Sequence, residues 1–351
     1  MKSLSVFMVT LMVALLLAPM SARAQSYVFQ MEGEQVTIRD TYTDPTWESI
    51  TLKFTYTTPV IVAIPNTNGG NPADFRIRNV TGTGFEMALN EPPGWDGPHV
   101  SMDISYMAVE EGTWTLPDGR KIVAATIDTS ALRYAGGGNS VHITLPSGFT
   151  NPIVLSQIQT LRNETGDIPN TPSDPWLNTI VTNITSTGFD LSLEGTECTV
   201  GPLGDTETIG YIVIEGDVSG TFTDLDGVTV DYETIHTGAT VIGWSDGFTH
   251  VPFSGTYSSV PRFVAKLVSR NESDGGWLRF RNLSTAGVDL TIDEDTCADA
   301  ERSHAGEEAG VFVFSNSFRW LDDDQDMDGI PASSDNCPMI FNPGQANADG
   351  D

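Results

Sequence analysis

The chain has 351 residues and carries 47 acidic against 17 basic side chains, a formal net charge of −30. Such a charge repels nucleic acid and anionic lipid and favours cations or cationic partners, so no nucleic-acid partner is expected. The length suits two or three domains, each with its own core.

In chain order, the first segment reads as an export signal. Lys2 supplies a short positive region, Leu4 to Met20 an apolar run, and Ala22-Arg23-Ala24 a small-residue cleavage site before Gln25. Residues 1–24 are therefore expected to be removed during Sec-type, bacterial-looking export, leaving a secreted or cell-surface protein with no membrane span. Export permits disulfides among Cys198, Cys297 and Cys337. An odd number leaves one thiol without a partner in the chain. Cys198 and Cys297 fall in nearly matching loops, and a bridge between two units and a bridge between two chains are both open.

From Val36 to about Phe318 the chain consists of short alternating runs separated by Gly, Pro, Asn and Asp, with no sustained helical spacing. That pattern predicts an all-β fold of antiparallel sheets. A unit of about a hundred residues occurs three times. Asn79-Val-Thr-Gly-Thr-Gly-Phe85 returns as Asn183-Ile-Thr-Ser-Thr-Gly-Phe189 and as Asn282-Leu-Ser-Thr-Ala-Gly-Val288. Upstream of each lies a proline-led strand, at Pro59, Pro152 and Pro261; downstream lies a closing strand around Tyr106, Tyr211 and Val311. Gly84, Gly188 and Gly287 are expected to take positive φ before a strand whose first large residue points inward. Pro117-Asp-Gly119 and Leu225-Asp-Gly227 are expected to be tight turns. The units are placed at residues 25–117, 118–225 and 226–320. The proline-led strand, the Asn turn and the aromatic closing strand resemble those of the H-type lectins. That resemblance implies three tandem antiparallel β-sandwich units, sugar binding, and a pseudo-trimer within one chain.

From Leu321 the composition changes, and no Lys or Arg follows Arg319. Asp324, Asp326 and Asp328 stand at positions one, three and five of a twelve-residue loop, Gly329 at the sharp turn, the Ile330 carbonyl at seven and Asp335 at twelve. Hard cations that take six to eight oxygens, calcium above all, are bound by this spacing. Asn347, Asp349 and Asp351 begin a second such loop. The string from Asp324 to Asp351 resembles a thrombospondin type 3 repeat, with Ala332 where that family usually has Asp. The resemblance implies a calcium-dependent irregular segment over 321–351, with more repeats beyond it and a partner for Cys337 there.

A second candidate site combines Arg76, Arg78 and His99 in the first unit with Arg279, Arg281, His304 and Glu307 in the third. Alternate residues on a strand share a face, so each arginine pair is expected to project together towards a sugar-like ligand. The second unit has Ile180 and Thr182 instead. No catalytic motif of recognisable spacing is present. The expected function is therefore non-catalytic: a calcium-binding adhesion or carbohydrate-recognition protein whose partners are glycans or extracellular surface proteins. The alternatives are an accessory region of a polysaccharide- or peptide-degrading enzyme, and a structural matrix or surface-layer component.

Overall fold

Strand pairing fixes the architecture. A computed structural model describes residues 28–164, 175–199, 201–331 and 334–346; the export segment and Asn347, Asp349 and Asp351 lie outside them. Among the described residues there are 23 strands and no helix. The first group is β1 (Phe29–Ile38), β2 (Glu48–Thr51), β3 (Pro59–Pro65), β4 (Asp74–Thr81), β5 (Gly84–Asn90) and β6 (Met102–Glu110). Next come β7 (Gly112–Thr115), β8 (Lys121–Thr129), β9 (Leu132–Tyr134), β10 (Gly137–Gly138), β11 (Val141–Thr144), β12 (Pro152–Ile158), β13 (Leu177–Thr185), β14 (Gly188–Gly195) and β15 (Glu207–Glu215). The third run is β16 (Ser219–Thr223), β17 (Thr229–His236), β18 (Thr249–Pro252), β19 (Arg262–Leu267), β20 (Trp277–Ser284), β21 (Gly287–Asp293), β22 (Ala309–Phe314) and β23 (Phe318–Asp322).

One four-stranded order recurs: β23-β1-β6-β3, β7-β8-β15-β12 and β16-β17-β22-β19. A second sheet accompanies each: β2-β5-β4, the β9-β10-β11-β13-β14 sheet, and β18-β21-β20. The edge strand of every four-stranded sheet directly follows the closing strand of the preceding group. Thus β7 follows β6 but pairs with β8, and β16 follows β15 but pairs with β17. The last strand completes the circuit, because β23 follows β22 and pairs with β1, Phe29 opposite Asp322.

This pairing moves the boundaries drawn from the sequence. Cuts at residues 117/118 and 225/226 fall inside the β7–β8 and β16–β17 hairpins, and β23 belongs to the first group's sheet rather than the third's. Nothing local announces such forward pairing, since a strand carries no label of its partner. The Asp-Gly turns themselves form as expected, with Gly119 at φ 84 and Gly227 at φ 79.

Packing explains why β3 reads as an unbroken apolar run and why β12 is apolar over its first four residues. All seven residues of β3 and of β12 are buried. A strand covered on both faces has no polar side to alternate with. One face of β3, through Ile61 and Ala63, joins a core with Phe75, Phe85 and Tyr106. The other, through Val60 and Val62, joins a central core with Ile153, Leu155 and Val264 from the two equivalent strands. Trp114, Phe222 and Trp320, one from each edge strand, enter that same central core.

The Asn turn differs from its expected geometry. Positive φ belongs to Asn79, Asn183 and Asn282, at 53°, 53° and 51°, while Gly84 and Gly188 are not in that region. Each Asn sits where the strand register slips. Its amide donates to an acidic residue seven positions on, Glu86 at 3.0 Å, Asp190 at 2.8 Å and Asp289 at 2.8 Å. A short side chain able to bond locally makes the left-handed conformation tolerable. The glycines are needed for a different reason. A Cβ on Gly84, Gly188 or Gly287 would lie 2.4–2.5 Å from the carbonyl oxygen of Ile50, Ile143 or Val251. Phe85, Phe189 and Val288 then point inward as expected, at 3 %, 0 % and 0 % exposure.

Candidate functional site

The acidic loop leaves β23 and turns back on itself. Asp324, Asp326 and Asp328 each place a carboxylate oxygen within 4.8 Å of the others. Positive φ at Met327 (60°) and Gly329 (87°) produces the tight bend that gathers them. Asp324 accepts from the backbone N–H of Asp328 at 3.1 Å and of Gly329 at 3.0 Å, and Asp328 from that of Ile330 at 2.8 Å. Later residues close over the loop. The N–H of Asn342 reaches Asp328 at 3.1 Å, and Gln345 donates to Asp335 at 2.9 Å. Gln325 in turn accepts the N–H of Thr115 at 3.0 Å, so the loop is tied to β7.

These carboxylates suit a cation. Oδ2 of Asp326 and Oδ2 of Asp335 are buried with no hydrogen-bond partner. Buried carboxylate oxygens are costly unless paired or bound to a metal. Partial desolvation, then the charges of Asp328, Asp335 and Asp324, hold the Asp326 carboxyl above its usual range. Asp324, Asp326 and Asp328 could hold such an ion, and Asp335 is near enough for its charge to act on Asp326; Ile330 follows in the same bend, and position nine, Ala332, is outside the described residues.

The arginine and histidine candidates are arranged otherwise than expected. Arg76 is buried between the first two groups, 2.6 Å from Glu164, with its guanidinium 3.6 Å over the Trp176 ring. Arg279 is wholly buried between the third and first groups, 2.7 Å from Asp293. It donates to the carbonyls of Asn66, Asn68 and Asn71 at 3.2, 2.8 and 2.9 Å. Every nitrogen of the Arg279 guanidinium is bonded, and Arg76 keeps only a buried Nη2 without a partner; both bind one group to the next. Arg78 and Arg281 share their partners' strand face but not their surroundings. They lie partly exposed over Trp47 at 4.0 Å and Phe248 at 3.4 Å.

His99 does not join Arg76. It is 2 % exposed, and burial followed by the charge of Arg279 pushes its pKa down to about 4. Its Nδ1 lies 2.9 Å from the Val100 carbonyl. His304 is the opposite case. Burial lowers its pKa, but Glu294 at Nδ1 and Glu307, 3.5 Å from Nε2, more than offset this and raise it to about 10. Glu307 also accepts from Ser269 Oγ and the N–H groups of Asn271 and Glu272, anchoring the loop after β19. Glu207 anchors the loop after β12 in the same way, through the N–H groups of Arg162 and Asn163.

Two grooves escaped the sequence patterns. One, of about 680 Å³, runs between the second and third groups beside Asn151, Asn183, Asp217, His236, Arg270 and Asn271. The other, of about 350 Å³, takes the equivalent place between the first and second groups beside Thr58, Asn79, Gln159, Arg162 and Thr208. Both combine the end of one group's β4 or β13, where the register slips, with the loop after the next group's proline-led strand. The repeated Asn was visible in sequence, but the strand that faces it comes from another group. Cys198 and Cys297 are bonded to each other across the boundary of the second and third groups, and Cys337 is free.

The described residues form an all-β arrangement of three similar sheet pairs closed into a circuit, with a loop that gathers three aspartates just beyond its closing strand. The chain is 29 % identical over 287 residues to Halomucin of Haloquadratum walsbyi (strain DSM 16790 / HBSQ001), a match covering 77 % of this chain and 3 % of Halomucin. The match is compatible with a surface or extracellular role. No family model matches the sequence, and no solved structure matches it.

Proposed function

We propose that this chain is a non-catalytic recognition module of the cell surface or extracellular space, in which a three-unit β head presents polar grooves to glycans and the acidic loop binds calcium. The observation that carries the calcium reading is the gathering of Asp324, Asp326 and Asp328, with a buried, partnerless oxygen on Asp326 itself and another on Asp335. It agrees with the resemblance to thrombospondin type 3 repeats. Because Gln325 bonds to β7 and Asp324 follows β23 closely, an ion in this loop also stiffens the join between head and tail. The glycan reading rests on the resemblance of the repeated sequence motifs to H-type lectins and on the polar lining of the two grooves. The grooves between groups, lined by amide, hydroxyl and guanidinium groups, replace the buried Arg76 and Arg279 as its contact surface.

Isothermal titration with Ca²⁺ tests the first half. One site is expected, in the range of about 0.1–1 mM common to extracellular modules, and Asp326→Asn removes it. Absence of heat at millimolar Ca²⁺ refutes it. A glycan array tests the second half. Thr182→Trp, which fills the larger groove, abolishes binding if the groove is the contact surface; unchanged binding refutes that assignment.

A further inference from the structure

We propose that Glu272, Glu294 and His304 form a binding site for one divalent transition-metal ion of the zinc class, with Glu307 orienting the imidazole. The site is separate from the acidic loop and does not depend on the calcium or glycan readings. One donor atom from each of the three residues lies within 4.8 Å of the others. His304 Nδ1 contacts Glu294 Oε1 and stands 3.7 Å from Glu272 Oε2. Zinc bonds of about 2.0–2.2 Å place neighbouring ligand atoms about 3–3.6 Å apart, so a small outward shift of Glu294 admits the ion.

The second oxygen of Glu294 is the independent sign. Glu294 is 1 % exposed, and its Oε2 has no hydrogen-bond partner. Charge balance points the same way. Glu194 is matched by Arg270 at 2.7 Å. That leaves two buried carboxylates, Glu294 and Glu307, around one imidazole, more negative charge than a single proton on His304 neutralises, with the partly exposed Glu272 beside them. Buried charges in excess are stabilised by pairing or by a metal.

The outer residues complete the arrangement. Glu307 Oε1 lies 3.5 Å from His304 Nε2, the position from which a carboxylate holds a metal-bound imidazole in one tautomer. Glu307 also accepts the N–H of Glu272 at 3.0 Å, and Asp246 accepts that of His304 at 3.0 Å. Two ligands therefore hang from backbone already fixed by hydrogen bonds. A nitrogen donor beside carboxylates selects zinc-like ions over calcium, which takes oxygen ligands. Glu272, 30 % exposed at its side chain, provides the entrance.

The test uses the full chain with millimolar Ca²⁺ present to occupy the acidic loop. After incubation with Zn²⁺ and gel filtration, metal analysis is expected to find one zinc per chain. Co²⁺ in its place gives a visible absorption band from nitrogen and oxygen ligation. Glu294→Gln and Glu272→Gln each lower Zn²⁺ affinity at least tenfold, and Asp326→Asn leaves it unchanged. Glu272→Gln, at the solvent edge, decides the matter if Glu294→Gln fails to fold. No zinc retained by the parent chain, or equal retention in Glu272→Gln, overturns the site and leaves His304 as an imidazolium held between carboxylates.

Discussion

Replacing Trp320 by alanine tests whether the closing strand locks the whole head. Trp320 is 6 % exposed, and its ring meets Phe29 edge-on at 4.7 Å and Phe222 at 6.2 Å. A buried tryptophan removes roughly 150–250 Å² from water. At about 25 cal/mol per Å² its loss costs about 4 kcal/mol, in line with the 3–5 kcal/mol typical of large-to-alanine changes in cores. Trp320 also touches residues from two groups, Phe29 on β1 and Phe222 on β16, within the core that all three share. The parent head should therefore unfold in urea as one transition. For an m-value of about 3 kcal/mol/M, the variant's midpoint should fall by about 1.3 M without a second transition appearing. Fluorescence and far-UV circular dichroism, followed together, read this directly. A shift below about 0.3 M, or a split in which only part of the signal moves, would refute the idea that β23 holds the three groups as one unit.

His99 supplies a pH dependence. Its pKa is depressed to about 4 in the folded chain, against about 6.5 unfolded. Its contribution is full above pH 6.5 and is lost as pH falls towards 4, by up to about 3 kcal/mol. The difference in unfolding free energy between His99→Gln and the parent should shrink across that window, and a constant difference would exclude the effect. Removing the Cys198–Cys297 bond, which spans 99 residues of sequence, should lower stability by about 4–5 kcal/mol on the chain-entropy view; thermal melts of Cys198→Ser/Cys297→Ser check it.

The strands, the threefold repeat and the Asp-Gly turns were legible because each rests on local chemistry: alternation, a preferred dihedral, a small residue. The aspartate spacing was legible for the same reason, since the bend at Gly329 needs only its neighbours. What local pattern could not show was contact between groups. Arg76 and Arg279 look like any outward pair on a strand until Glu164, Asp293 and the Asn66–Asn71 carbonyls arrive from elsewhere in the chain. The same holds for β7, β16 and β23, whose partners lie across a boundary. Gly84 and Gly188 do not take the positive φ expected of them, because crowding against a neighbouring carbonyl and a left-handed φ leave the same residue in the sequence.

The register of β1 with β23 has a mechanical corollary. The first residue of one strand faces the last residue of the other, so polypeptide attached at either side enters and leaves at a single point. Tension between two such attachments would peel these strands one hydrogen bond after another instead of shearing them all at once. The head would then hang beside the line of force like a bead on a clasp, with Trp320 and the neighbouring aspartates as the catch that yields first.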